Sequence, residues 1–242
     1  VKPHKFKLKP DAKPVQVPPT KYGPAKRSLI TDWVHWGVEE DLLEKTDGSK
    51  YASRLHLAAK YGVSTPKSEP PDGIRITWAG VEANEGIIKS VPTYPDAWDQ
   101  IYKVAQYKYK FSADGLKQYW SIPLDEESRE VTAFWTPLGL YRFKRLVMGT
   151  KNAATVAQNA YTQAMNSLLP AKAREHIANF ADDFIGGADT REELIELFDQ
   201  FLDMCIKAGI TINPKKVRFD YEDEQFYGYR LNKGRILSLI HI

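Results

Sequence analysis

The chain has 242 residues, 27% charged and 43% hydrophobic, with 34 basic and 31 acidic side chains and a net charge of +3. That length buries a real core in one large domain or two small ones, and the composition is that of an ordinary globular protein. It excludes a fibrous or low-complexity chain, and no apolar run approaches the ~20 residues of a membrane-spanning helix. The single cysteine, Cys205, rules out an intrachain disulfide, fits a reducing compartment and reads as core filler among apolar helix positions.

Residues 1–24 hold six prolines and little periodicity, so they read as an extended lead-in that either wraps a surface or stays loose. The first 27 residues carry eight Lys or Arg against one acid, an arm that either grips phosphates or is simply solvated. No apolar core of a signal peptide is visible there. Pro24–Gly37 is expected as a helix with Leu29, Ile30, Trp33 and Val34 on its apolar side and Gly37 as its end. Ser49–Lys60 and Asp72–Ala79 read as two strands of a β-hairpin, joined by a Pro-rich loop from Tyr61 to Pro71. Asp96–Ala105 reads as a short helix, and Tyr107–Ala113 alternates like a strand that runs into Asp114. Thr136-Pro-Leu-Gly139 has turn chemistry and should close a hairpin. Asn152–Leu168 is expected as a helix with a face of Ala153, Val156, Ala157, Ala160, Ala164 and Leu168.

The run Ile177–Phe180, the acids Asp182 and Asp183, and the apolar pair Phe184–Ile185 spell a hairpin with two carboxylates at its tip. Thr190-Arg-Glu-Glu193 is a capping-box signature for a helix that buries Leu194, Leu197, Phe198, Phe201, Leu202 and Cys205 and stops at Gly209. Val217–Tyr221 and Gln225–Leu231 are expected to pair as a last hairpin. The class is therefore α+β, an antiparallel sheet with helices packed on one face.

Adjacent anions repel unless a cation lies between them, and Asp oxygens are the ligands that Mg²⁺ takes. Alone, Asp182 and Asp183 read more readily as a solvated surface turn than as a metal site. A third acid at a strand end, Asp114, adds a way to hold two divalent ions about 3.5–4 Å apart for phosphoryl transfer, if the strands are neighbours.

Five stretches, in order, resemble the catalytic motifs of retroelement reverse transcriptases, with the gypsy-type LTR retrotransposons as the nearest subgroup. They are Phe111–Leu124 around Asp114, Thr132–Ala153, Phe180-Ala-Asp-Asp183, Gly209–Lys216 and Phe226-Tyr-Gly-Tyr229. The resemblance spans residues 3–236. It departs at Ala79-Gly-Val-Glu-Ala-Asn84, where the family has Asp-Tyr-Arg-x-Leu-Asn, and at Val147, where Pro is usual. Gly115 replaces a bulkier residue.

The resemblance implies a right-hand polymerase fold, an antiparallel palm sheet packed on helices plus β-rich fingers, with the thumb absent or incomplete. Fingers are expected over residues 25–106 and palm over 107–236, with a returning fingers hairpin near 130–146. The implied activity is RNA-directed DNA polymerase, a nucleotidyltransferase that extends a primer on an RNA or DNA template from deoxynucleoside triphosphates. Asp114, Asp182 and Asp183 are implied as holders of two Mg²⁺, with Mn²⁺ as a substitute, and Lys216 as the acid for the leaving pyrophosphate. Lys60 and Arg75 would clamp phosphates from the fingers, while Gly115, Lys117 and Gln118 lie along the triphosphate. Tyr119, Met148 and Gly149 would receive the sugar and base, and Tyr227–Gly228 the primer end.

No membrane partner is expected, and the location implied is cytoplasmic, in an intracellular particle of the element. Two other classes compete: a catalytically inactive or domesticated domain that binds nucleic acid, and an RNA-synthesising polymerase, against which the bulky Tyr119 argues. Residues 237–242, Leu-Ser-Leu-Ile-His-Ile, match a translated sequencing adapter and fit neither the last hairpin nor the family. From this the chain is expected to be a truncated fragment.

Overall fold

The computed structural model describes residues 2–59, 74–91, 94–226 and 228–238. In chain order these form α1 (Pro24–Glu39), β1 (Leu43–Lys45), β2 (Arg54–Ala59), β3 (Ile74–Ala79), α2 (Val81–Gly86), α3 (Ala97–Ala105) and β4 (Tyr109–Asp114). A 3₁₀ turn (Gln118–Ser121) leads to α4 (Glu126–Val131), β5 (Phe134–Thr136), β6 (Gly139–Phe143), α5 (Ala153–Leu168), α6 (Ala171–His176), β7 (Ile177–Phe180) and β8 (Asp183–Ala188). Then come α7 (Arg191–Ala208), β9 (Arg218–Tyr221), β10 (Asp223–Phe226), β11 (Tyr229–Asn232) and β12 (Arg235–Ser238). No helix among the described residues is long and apolar enough to cross a membrane.

The chain divides into two compact units that interleave in sequence. The first takes residues 91–121 and 154–242, the second residues 2–90 and 122–153. The first unit thus starts at residue 91 rather than at the expected 107. α3 joins the first unit because Ile101, Val104 and Ala105 pack on Ala178, Ile185, Phe226 and Leu231. The hairpin expected near 130–146 forms as β5–β6, within a segment of the second unit that runs from Ile122 to Ala153.

The first unit is built on a four-stranded sheet in the order β7-β8-β4-β9, every pair antiparallel. Side chains alternate across it with period two. Phe111, Ala113, Ile177, Phe184 and Ala188 face a core shared with α5, α6 and α7, where Tyr161, Phe201 and Met204 are buried. Ala178 and Ile185 face the opposite way, onto α3 and the β10-β11-β12 sheet. Both faces are covered, which corrects the expectation of helices on one face. Lys110 lies on that second face, fully buried, with its ammonium donating to the carbonyls of Tyr107 at 2.6 Å and Glu222 at 3.5 Å. Burial holds its pKa below the ordinary lysine value, against the pull of the Asp223 and Glu224 charges.

The last strands also differ from expectation. β9 pairs with β4 at the sheet edge, while β10 pairs with β11 and β11 with β12. Leu237 and Ser238, set apart in the sequence, sit opposite Arg230 and Tyr229 in β12; residues 239–242 lie outside the described residues. α7 starts and stops as its sequence predicts: the Thr190 hydroxyl accepts the Glu193 N–H at 3.2 Å, and Gly209 takes φ 68. Cys205 is buried in this core, which pushes its thiol up to about 12.

α5 buries Ala153, Ala157 and Ala164 of the expected face, but the buried face is turned toward Gln158, Tyr161 and Met165. Ala157, Gln158, Tyr161, Ala164 and Met165 are inside, whereas Leu168 is exposed. The face turned because two polar side chains, Gln158 and Tyr161, go in with it.

In the second unit the lead-in wraps. His4 donates its backbone N–H to Pro123 and Val17 to Ala52 at 2.8 and 2.7 Å, and Phe6 and Val17 are buried. Trp33 of α1 packs against Phe134 and Phe143 of the β1-β6-β5 sheet. α1 continues past Gly37, which is a close-packing site rather than a stop: a Cβ there would lie 2.6 Å from Leu43 Cδ1. β2 and β3 pair from Arg54↔Ala79 to Ala59↔Ile74, and the loop that joins them lies outside the described residues.

In β8, Gly186 sits directly opposite Phe111 on β4, and a Cβ built there would lie 2.2 Å from the ring. Gly186→Ala should therefore destabilise by about 1–3 kcal/mol through overpacking. Adding Phe111→Leu should cost less than the sum of the two single changes, because they relieve one clash. Urea unfolding of the four proteins measures the coupling, and strict additivity would contradict this packing.

Candidate active site

Asp114 is the last residue of β4 and Asp183 the first of β8, and the two are register partners. Opposed residues in an antiparallel pair have Cα atoms about 4.5–5.5 Å apart. The alternation puts both on the α3 side of the sheet, with Ser112 and Ile185. Asp182 stands in the β7–β8 turn, and its carbonyl accepts the Gly115 N–H at 2.6 Å. That bond ties the chain leaving Asp114 to the hairpin tip.

The stretch after Gly209 is laid beside Asp114. Leu116 donates to Thr211 O and Asn213 to Asp114 O, both at 2.8 Å, and Gly115 bridges to Ile212. Lys216 thereby reaches both Asp114 oxygens, at 2.9 and 3.1 Å. This hydrogen bond holds the ammonium above its ordinary pKa, with burial opposing. The Asp183 carboxyl is raised by burial first, then by the charges of Asp182 and Asp114, against the pull of Lys216. Asp183 is open to solvent, so water screens much of that effect. Ser112, Asp114, Asp183, Lys216, Gln225 and Phe226 line an open cleft on this face.

Among the described residues, no three His, Cys, Asp or Glu side chains already form a metal cage. The donor chemistry nonetheless fits a hard divalent cation: the donors are carboxylate oxygens, and their mutual repulsion is what such an ion relieves. Lys216 stands in that place on Asp114, so it is the group an ion would displace.

Beyond Asp114 the chain is tightly packed. A Cβ at Gly115 would lie 2.9 Å from the Tyr161 hydroxyl and 3.3 Å from the Asp182 carbonyl, so a bulkier residue has no room. Lys117 takes φ 51 and lays its ammonium 4.6 Å over the Trp120 ring. Gln118 turns inward and is buried, and its Oε1 has no partner among the described residues. Tyr119 is half-buried, and its hydroxyl is raised by burial first and by the Asp182 charge second.

The second unit holds the remaining candidates. Arg75 is exposed on β3 opposite Ala58. Met148 is exposed and Gly149 takes φ 105, with its carbonyl held by Asn84 Nδ2 at 2.7 Å; Asn84 Oδ1 also accepts the Lys151 N–H at 2.8 Å. Lys60 and Tyr227 lie outside the described residues; Gly228, at the β10–β11 turn, has φ 76.

Three buried polar residues near the acids escape a reading by hydropathy: Gln158, Tyr161 and Asn179. Asn179 left a trace, a polar residue interrupting the run Ile177–Phe180. Gln158 and Tyr161 left none, since their burial depends on partners distant in sequence.

Comparison with known proteins gives the family. Residues 75–231, more than half of the chain, match the family described as reverse transcriptase (RNA-dependent DNA polymerase). The retrovirus-related Pol polyprotein of transposon 412 from Drosophila melanogaster is 25% identical over 82% of this chain and 15% of its own length. The enzymatic polyprotein of cauliflower mosaic virus (strain NY8153) is 23% identical over 95% of this chain and 32% of its own length. The foamy viral protease-reverse transcriptase bound to an RNA/DNA hybrid superposes with TM-score 0.79 at 15% identity, over 100% of this chain and 30% of that one. Its complex with dsDNA gives 0.78 at 16% identity, over 98% of this chain and 47% of that one. The chain thus spans less than half the length of each of these relatives, and its fold is the mixed α/β fold of the fingers and palm region. It belongs to the reverse transcriptase family.

Proposed function

We propose that the chain is the fingers and palm of an RNA-directed DNA polymerase from a gypsy-type LTR retrotransposon, working in an intracellular particle of that element. It extends a DNA primer on an RNA or DNA template from deoxynucleoside triphosphates. One observation carries this: Asp114 and Asp183 are register partners on one sheet face, with Asp182 at the adjoining tip, in a chain of this family. The RNA/DNA hybrid and dsDNA held by the foamy viral enzymes support nucleic acid as the partner.

Asp114, Asp182 and Asp183 are the residues that would hold two Mg²⁺, or Mn²⁺ in their place. Bound there, such ions would supply positive charge to activate the primer 3′-hydroxyl and to offset the charge of the leaving pyrophosphate. Lys216 would then release Asp114; a lysine ammonium stays protonated at neutral pH without that hydrogen bond, so it has a proton to give to the leaving group. The backbone of Gly115, Lys117 and Gln118 lies along the triphosphate. Arg75, whose planar fork suits phosphate, works with Lys60 on the β- and γ-phosphates. Met148 and Gly149 support the incoming sugar and base, and Tyr227 with Gly228 holds the primer end. Tyr119 excludes a 2′-hydroxyl by its bulk.

Extension of a DNA primer on an RNA template with Mg²⁺ tests the reading. Asp182→Asn should reduce it by about a hundredfold or more, since several kcal/mol of charge stabilisation is lost at about 1.4 kcal/mol per tenfold. The melting temperature should hold or rise. Unchanged extension would overturn the assignment of the acids. Tyr119→Ala should raise ribonucleotide incorporation while deoxynucleotide incorporation falls much less; a parallel fall of both would make Tyr119 a packing residue.

In chelator, Asp183→Asn reports on the crowding of the acids. A raised carboxyl contributes stability below its ordinary range, near pH 3.9, and loses that contribution as pH rises through its raised value. The gain in melting temperature from Asp183→Asn should therefore be larger at pH 7 than at pH 3. A flat difference would show that the charges are fully screened.

A further inference from the structure

The tip of the β7–β8 hairpin is a two-residue turn, Ala181–Asp182, between the paired residues Phe180 and Asp183. Ala181 has φ 52, a left-handed conformation that glycine takes freely and alanine does not. The residue next to the acids is thus held where its own Cβ disfavours it.

The hydrogen bonds around it account for this. The Ala181 N–H donates to Gln158 Oε1 at 2.7 Å. Asn179 Nδ2 donates to the carbonyls of Ala181 at 3.0 Å and Asp183 at 3.1 Å. Gln158 Nε2 in turn donates to Asn179 Oδ1 at 2.7 Å and to Thr162 Oγ1 at 3.2 Å. Both amides are inside, with Gln158 1% and Asn179 3% exposed. Each uses its oxygen and its nitrogen, so flipping either one sets donor against donor. The result is a network running from α5 to the peptide groups on both sides of Ala181 and to the Asp183 carbonyl.

We propose that Gln158, acting with Asn179, is a positioning residue for polymerisation. It touches no substrate; it locks Ala181 in the left-handed conformation and so fixes the angle at which Asp182 and Asp183 leave the hairpin. Without the lock, Ala181 relaxes to negative φ, the turn changes type and Asp182 swings away from Asp114. Like-charge repulsion among the acids favours that relaxation in the ion-free protein. The inference rests on Asp182 and Asp183 being the catalytic acids. A merely structural amide pair would stabilise the fold without controlling the geometry at residue 181.

The two roles separate on one substitution. Gln158→Met keeps the volume and removes both the acceptor for Ala181 and the donor to Asn179. In the ion-free wild type the Ala181 amide should be protected from hydrogen exchange, and Gln158→Met should speed its exchange by about tenfold or more. Single-nucleotide extension should show kcat lowered by about tenfold or more with the nucleotide KM within about twofold. Ala181→Gly, added to Gln158→Met, should restore most of the lost kcat, because glycine adopts positive φ without the steric cost that alanine meets.

An unprotected wild-type Ala181 amide overturns the proposal and requires no variant to fold. A kcat loss that Ala181→Gly leaves unrepaired also overturns it, by making Gln158 structural alone. If the wild type extends no primer, the proposed function fails instead, and the exchange measurement still decides whether Gln158 locks the turn.

Discussion

Across β4 and β8, Asp114 and Asp183 stand opposite each other with the same charge, and the surrounding structure is what keeps them there. The register is not free to slip. Phe111, Ala113 and Phe184 alternate into the α5–α7 core, so a shift of one residue would carry acids inward and rings outward. The glycines opposite tighten this further, since Gly186 leaves room for the Phe111 ring and Gly187 for Tyr107. Lys216 offsets part of the repulsion from outside the strand pair.

Three supports converge on this spot. Gly115 lets the backbone pass within hydrogen-bond distance of the Asp182 carbonyl, over the Tyr161 hydroxyl. The Gly209–Lys216 stretch is laid along the exit of β4, which brings Lys216 onto Asp114. The amides of Gln158 and Asn179 hold the tip from below. Each support joins segments far apart in sequence, so the acids are placed by tertiary contacts rather than by the hairpin alone.

Local chemistry was legible from sequence. The acids at the tip, the Thr190 cap, the Gly209 stop and the Thr136–Gly139 hairpin are specified within a few residues, and each forms where its residues predict. Non-local choices were not legible. β9 reads like a hairpin strand, yet it takes the open edge of β4, and α3 follows its apolar face onto β7 and β8 rather than its place in the chain. Gly37 has the chemistry of a helix stop but serves close packing on Leu43. In α5 apolar periodicity finds Ala153, Ala157 and Ala164 but places Gln158 on the surface. Its burial becomes favourable only when Asn179 and the Ala181 amide satisfy it.

The central claim is that these three carboxylates form one cation site at the open end of the β4–β8 pair. Titrating Mn²⁺ into isotope-labelled protein, and following which amide resonances broaden first, tests it without reference to activity. The account expects early, selective broadening at Asp114, Gly115, Asp182 and Asp183, abolished by combining Asp114→Asn with Asp183→Asn. Broadening that begins elsewhere, or that survives in the double variant, would contradict it.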